Sequence, residues 1–264
     1  MMKMMRFRIL RATLSLAVLC AALAAGARGR AEAPRLRPQE RVPFKLTGEE
    51  GRLEGVISVE GKVTPSPPPR MDADPVCVAL NRGVTQADDL VVERGRLANV
   101  LVYVESAAFD NYLFGTPPWK PTLALRKCRL TPRVLAVQAG QTLFVQNGDR
   151  TPHNPAFEPK VNPLFNKGLN PGGSFEVPLE KPEPPFVVKC RQHPWERGYV
   201  AVLPHPYFAV TGRNGAFAIE GLPPGDYEVV VWHEKFKETR VKVSIAAKES
   251  KAVNVTFKFP ADAR

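Results

Sequence analysis

Cysteine and histidine are scarce, four of each in 264 residues, and two short segments combine them. In the first, Phe144-Val145-Gln146-Asn147-Gly148-Asp149-Arg150-Thr151-Pro152-His153-Asn154, one imidazole follows a strand-forming run. In the second, Val188-Lys189-Cys190-Arg191-Gln192-His193-Pro194-Trp195, Cys190 and His193 stand three apart. That spacing lets both side chains turn toward one point at the end of a hairpin, with His153 arriving from a neighbouring strand end. One thiolate and two imidazoles in a trigonal arrangement form the donor set of a blue-copper electron-transfer site. The thiolate is soft and donates strongly to copper, and the imidazoles suit both oxidation states.

Donors so placed need rigid loops between strands, and the composition supplies them. Proline is 27 of 264 residues, about twice ordinary usage, which works against long helices because each interior proline breaks a helical hydrogen bond. Short β-forming runs recur: 56–63, 99–104, 142–146, 175–179, 186–188 and 199–203, with turn residues between them. The tract Pro65-Ser66-Pro67-Pro68-Pro69 reads as a stiff loop. No long helical period occurs, and the spacing predicts an all-β protein, a β-sandwich or a barrel.

The first 27 residues read as a secretory signal peptide. Lys3, Arg6, Arg8 and Arg11 precede the apolar run Ala12–Ala25, which ends in Ala25-Gly26-Ala27, a small-x-small exit. The alternative is a retained anchor, although the run is short for a bilayer span. Cys20 follows Leu19, a poor fit to a lipoprotein cleavage site. Removal of this leader takes four cations and no acid, leaving +7 of the formal +11, and leaves Met71 as the sole methionine. The mature protein would be periplasmic or secreted, without a stable membrane span. Export and the lack of a long Lys/Arg run exclude nucleic acid as an expected partner. Residues 28–51, charged and aperiodic, read as a flexible tail, followed by a first β domain at 52–204.

The remaining segment, 205–264, has a different texture. Its Asn214-Gly215-x-Phe217-x-Ile219…Leu222-Pro223-Pro224-Gly225-x-Tyr227 pattern resembles carboxypeptidase regulatory-like, prealbumin-like modules of the carbohydrate-binding-like fold. That resemblance implies a small β-sandwich that strands from the larger domain could complete, and carries little information about sugar binding.

At the ligand candidates the chain resembles the cupredoxins, the amicyanin type most closely. That family has a first ligand within Pro-His-Asn and a compact second loop, Cys-x-x-His-Pro-x-Met. Pro152-His153-Asn154 matches the first, and Cys190-x-x-His193-Pro194 matches the second. The resemblance implies a Greek-key β-sandwich that holds one copper ion on His153, Cys190 and His193. Asn154 would tie the ligand loops together by hydrogen bonds, and Pro194 and Trp195 would line the site, Trp195 packing over it. The axial methionine of the pattern is replaced by Glu196. Three readings follow: an axial oxygen ligand, a carboxylate facing solvent, or a site that has lost copper and holds zinc or nothing. A Cys/His/His/Glu set is acceptable to Zn²⁺ as well. Met71 lies in the proline-rich region, too far away in sequence to be assigned as a substitute.

Cys77 and Cys128 fit a disulfide, which an exported protein permits and which leaves one thiol free for a metal. Closing a loop of about 50 residues contributes roughly 4 kcal/mol in the chain-entropy model. A rival pairing through Cys190 would destroy the site. His205 and His233 read as hydrogen-bonded structural residues, and Asp226 and Glu228 as solvated. No Ser/His/Asp arrangement, phosphate loop or acid pair points to an enzyme. The expected function is one-electron transfer with another exported redox protein, docking near the loop of His193. The alternatives are a carbohydrate- or envelope-protein-binding module, with aromatics such as Trp119 and Tyr207 exposed for the purpose, and a copper chaperone or storage protein.

Overall fold

The computed structural model describes residues 40–259; the leader at 1–27 and the tail up to residue 39 lie outside them. The described chain is almost entirely β, as the composition requires, and its strands form two sandwiches. The first packs the sheet Ser174–Leu179, Gln141–Asn147, Thr122–Leu125, Leu130–Thr131 on the sheet Phe165–Asn166, Pro155–Phe157, Glu183–Cys190, Arg197–Leu203, Val134–Gln138. Alternation sets its register: every second residue of Gln141–Asn147 and of Ser174–Leu179 is buried, the period that one buried sheet face demands. Leu123, Leu143, Val145, Val177, Val188 and Val200 fill the space between the sheets.

The second sandwich redraws the expected domain boundaries. Gly51–Glu60 pairs with Ala216–Leu222, Ser250–Ala252 and Val255–Lys258. Leu101–Glu105 lies between Phe208–Val210 and Gly225–His233. The strands at 51–60 and 101–105 therefore pair with the C-terminal strands and not with the first sandwich, so neither 52–204 nor 205–264 is a unit by itself. A strand pattern fixes which face is buried but not which distant strand lies alongside. Gly55 shows how closely the segments meet: a Cβ there would sit 1.8 Å from the Val253 carbonyl oxygen. Only glycine fits.

Of the tail expected at 28–51, the described residues 40–51 are anchored. Val42–Pro43 pairs with Tyr112–Leu113, and Phe44 packs against Tyr112, Phe114 and Tyr207. A single aromatic supplies the anchor, which periodicity cannot register. Tyr207, expected to be exposed, is 3% exposed within that cluster; Trp119 is exposed as expected. Among the described residues, no helix is long and apolar enough to cross a membrane.

The two sandwiches share a third apolar cluster, in which Val134, Ala136, Ala201 and Leu203 of one meet Leu101, Tyr103 and Val230 of the other. Beside it, the buried Arg133 guanidinium is clamped by Glu234 and by Asp88, the latter at 2.7 Å. Pairing and hydrogen bonding remove the penalty that a lone buried charge would carry.

His205 and His233 are structural, as expected. Each is buried, and each Nδ1 accepts a backbone N–H, from Tyr207 at 3.3 Å and from Lys235 at 3.2 Å. Burial lowers the pKa of each to about 4. The unfolded chain therefore binds more protons than the folded one between about pH 6.5 and 4. The stabilisation from each neutral imidazole is complete above pH 6.5 and is lost as pH falls through that window, on the order of 3 kcal/mol per histidine. Denaturant unfolding followed from pH 7 to pH 4 should show this loss. His205→Gln and His233→Gln, which keep an acceptor but do not titrate, should flatten it.

Candidate metal centre

Four side chains converge at one end of the first sandwich. His153 sits between Gln141–Asn147 and Pro155–Phe157, its N–H donating to the Leu169 carbonyl at 3.0 Å. Cys190 ends Glu183–Cys190 opposite Pro155 in the register, which brings His153 and Cys190 to adjacent strand ends. The loop that follows folds tightly: the Glu196 N–H donates to the His193 carbonyl at 3.0 Å, and the Cys190 N–H to the Glu196 carbonyl at 3.2 Å. His153, Cys190, His193 and Glu196 are all buried, and one donor atom from each lies within 4.8 Å of the others.

Hydrogen bonds fix which atoms face inward. His153 Nε2 lies 3.2 Å from Asp149 Oδ2, and His193 Nε2 lies 3.1 Å from Asp74 Oδ2. Carboxylates only accept, so each Nε2 carries a proton and each Nδ1 turns to the centre. There the two Nδ1 atoms stand 3.0 Å apart, with Cys190 Sγ 3.7 Å from His193 Nδ1. Glu196 is 1% exposed, which removes the reading of a solvent-facing carboxylate. Its Oε2 lies 3.2 Å from His153 Nδ1, within hydrogen-bond reach, while its Oε1, 2.9 Å from His153 Nδ1 and 3.2 Å from His193 Nδ1, has no aligned hydrogen bond.

Two ring nitrogens, a sulfur and a carboxylate oxygen thus crowd one place, where a proton on Nδ1 or a metal ion offsets the concentration of acceptors. Burial alone would depress the pKa of His153, but its contacts with Asp149, Cys190 and Glu196 raise it to about 11. The pocket draws positive charge to itself even when only a proton is on hand. The residues present therefore fit a metal ion: a buried, orphaned carboxylate oxygen and a soft sulfur, with both imidazoles oriented from behind.

The surrounding residues hold this geometry. The Asn154 N–H donates to Cys190 Sγ at 3.3 Å, and the Arg191 N–H donates to the Asn154 carbonyl at 2.8 Å. Asn154 ties the two ligand loops together through its backbone, while its side chain accepts from Asn166 at 2.7 Å. Trp195 packs against His193, with ring centroids 5.0 Å apart. The Pro194 ring is exposed. Met71 is buried in an apolar cluster with Cys77, Cys128 and Trp195, so sequence distance misjudged how near it comes to the site.

Sequence reasoning did not find the cap. The short helix Pro75–Leu80 starts at Asp74, whose Oδ1 accepts the N–H groups of Val76 and Cys77. Its other oxygen accepts from Thr151 at 2.5 Å and faces His193. Cys77 is bonded to Cys128, leaving Cys190 as the free thiol among the described residues. The turn behind Cys128 donates the N–H groups of Lys127 and Cys128 to Asp149, both at 2.7 Å. Asp74-Pro75 is a cap-and-Pro helix start, and Asp149 stands four residues before His153. Both signals are present in the sequence, but neither declares a histidine partner.

A carboxypeptidase regulatory-like domain model matches residues 194–258. No curated protein matches the chain. Among solved structures, the chain is similar to the copper-containing nitrite reductase of Thermus scotoductus SA-01, at 22% identity over 33% of this chain and a TM-score of 0.30. The match spans only 23% of the reductase. A purple cupredoxin from Nitrosopumilus maritimus matches at 25% identity over 31% of this chain and 99% of its own, with a TM-score of 0.28. The amicyanin of Paracoccus versutus matches at 22% over 38% and 96%, with a TM-score of 0.29.

The bonding pattern has a direct chemical readout. Alkylation of the metal-free, denatured protein without reductant should modify Cys190 and spare Cys77 and Cys128. A peptide map with Cys190 in a disulfide would remove the sulfur from the centre.

Proposed function

We propose that the chain is an exported copper-binding protein that carries single electrons and is not itself an enzyme. The observation supporting this most strongly is the convergence of His153 Nδ1, His193 Nδ1, Cys190 Sγ and Glu196 Oε1, with both outer imidazole nitrogens held by Asp149 and Asp74. These four residues would hold the ion, Glu196 supplying a hard oxygen donor. Bound copper supplies a one-electron couple whose two states both accept thiolate and imidazole. The protein contributes rigidity. Fixed loops and buried hydrogen bonds leave the donors little freedom to rearrange, which keeps the structural cost of each transfer low. Burial of all four donors leaves a substrate no approach to the centre, which favours a carrier over a catalyst. The carboxylate keeps a zinc site as the second reading, since Cys, His and Glu all serve Zn²⁺.

Reconstitution of the mature chain with Cu(II) separates the two. The expected product holds one copper per chain and shows an intense thiolate-to-copper absorption band with a matching paramagnetic resonance signal. Cys190→Ser, which exchanges a soft thiolate for a poor copper ligand, should lose the band. One tightly bound copper without that band in the wild type would exclude a blue-copper centre, and exclusive retention of zinc would favour the structural reading. Reversible voltammetry then distinguishes an electron carrier from a storage site.

Glu196 should set the potential. A buried carboxylate beside the metal stabilises Cu(II) over Cu(I), because the more highly charged state gains more from a negative neighbour. Removing one charge a few ångströms away is worth about 4 kcal/mol at an effective dielectric constant near 20. Glu196→Met should therefore raise the potential by on the order of 100 mV. An unchanged potential would strike Glu196 from the ligands and leave the other three.

A further inference from the structure

The end of the sandwich that carries the cluster is closed by four segments: the cap at 70–84, the turn at 126–129, and the loops at 148–154 and 191–196. Every acid on them, or against them, is already engaged. Asp74, Asp149 and Glu196 face the histidines, Asp72 pairs with Arg70, and Asp88 pairs with Arg129 and Arg133. The cations are not balanced in the same way. Arg82, Arg126, Lys127 and Arg150 are all exposed, and none of them has an ion-pair partner among the described residues.

These cations belong to one surface. The Asn81 side chain donates to the Lys127 carbonyl at 2.9 Å, joining the cap to the turn. The Arg126 side chain lies against Gly148, where an added Cβ would meet it at 3.3 Å, joining the turn to the loop that bears Arg150. Among the cations, Val78, Leu80 and Val84 present exposed apolar side chains. Below them, the helix abuts the outer nitrogen of His193, with Asp74 Oδ2 at 3.1 Å and Cys77 Sγ at 3.9 Å.

We infer that this cap face, and not the His193 loop itself, receives an acidic partner protein, its carboxylates meeting the four cations and its apolar centre meeting Val78, Leu80 and Val84. An apolar centre with a charged rim is the anatomy of a specific protein contact, and the rim charges govern encounter rate and its dependence on salt. The purpose of the contact rests on the electron-transfer reading, because the cap is the thin wall over the centre. The charge map does not rest on that reading.

Two measurements test the inference, each against a matched control. The first titrates the redox-inert, paramagnetic hexacyanochromate(III) anion into isotope-labelled protein, with or without metal. Amide broadening should centre on residues 78–84, 126–127 and 150–151. It should vanish in the double variant Arg82→Glu/Arg126→Glu and persist in Lys181→Glu/Lys242→Glu, which carries the same net charge. Lys181 precedes Glu183–Cys190 at the end away from Cys190, and Lys242 lies on the second sandwich. Broadening centred elsewhere, or unchanged by the cap pair, overturns the inference.

The second measurement mixes copper-loaded, reduced protein with ferricyanide, in which one electron passes to Fe(III) and gives ferrocyanide with no proton transfer. At low salt the cap pair should slow this oxidation at least threefold and speed oxidation by the cationic tris(phenanthroline)cobalt(III). The control pair should change both rates much less. Equal effects from the two pairs overturn the inference. A chain that takes up no copper yet gives the expected anion map defeats the electron-transfer reading and upholds the acidic-partner face.

Discussion

The structure depends on two hydrogen bonds at the back of the imidazoles. Asp149 and Asp74 each occupy an Nε2, and that choice obliges each Nδ1 to face the centre. Neither carboxylate is held by its histidine alone. Asp149 accepts from the backbone of the turn at Lys127 and Cys128, where both residues take positive φ, 53° and 54°. Two successive non-glycine residues in the left-handed region are uncommon, and here they aim two N–H groups at one carboxylate. Asp74 is held as the cap of its helix. The Cys77–Cys128 disulfide joins that helix to that turn, so the two carboxylates are parts of a single cross-linked piece. The bond spans 51 residues and does more than limit the unfolded chain: it fixes the spacing of the groups that orient both histidines.

The cap reaches the site because of the way the chain is threaded. It lies in the connection between Gly51–Glu60 and Leu101–Glu105, two strands of the second sandwich, yet it covers the end of the first. Its position therefore depends on how firmly the sandwiches are joined. The shared cluster around Val134, Leu203 and Val230 is apolar and buried, and the Arg133 clamp adds direction to it. The C-terminal strands that match the regulatory-like model thus serve as a platform for a connection that closes a distant centre. Their part in the site needs no ligand of their own.

Much of this was legible in the sequence, for identifiable reasons. The candidate ligands could be read because local spacing suffices: with two residues between them, Cys190 and His193 share one loop, and proline and asparagine beside His153 mark a strand end. That one thiol stays free followed from counting; which two cysteines pair did not, and the structure joins Cys77 to Cys128. The strands of the first sandwich were visible because one buried face imposes alternation. What could not be read is long-range. Three of the strand partners of Gly51–Glu60 lie about 160 to 200 residues away, and no local pattern names them. Phe44 and Tyr207 look like lone aromatics in sequence and become a cluster only after folding. Asp74 and Asp149 are ordinary acids until the disulfide and the turn bring them behind the imidazoles.

The same carboxylates explain why the cap is needed. A centre surrounded by Asp74, Asp149, Glu196 and a thiol concentrates negative charge in a buried space, and burying charge is costly unless a partner compensates it. A cation at the centre meets most of that need, and each hydrogen bond to an acid lowers the remainder. The pKa values of Asp74 and Asp149 are held below their ordinary values by such bonds, even though burial opposes them. In an uncapped site, water would reach the outer imidazole nitrogens and compete with both acids for them. The exposed cations around the cap act in the same direction at longer range, because positive charge above a negative cage lowers its electrostatic cost. Closure of the site, its carboxylate lining and its basic rim therefore form one arrangement, in which each feature makes the next affordable.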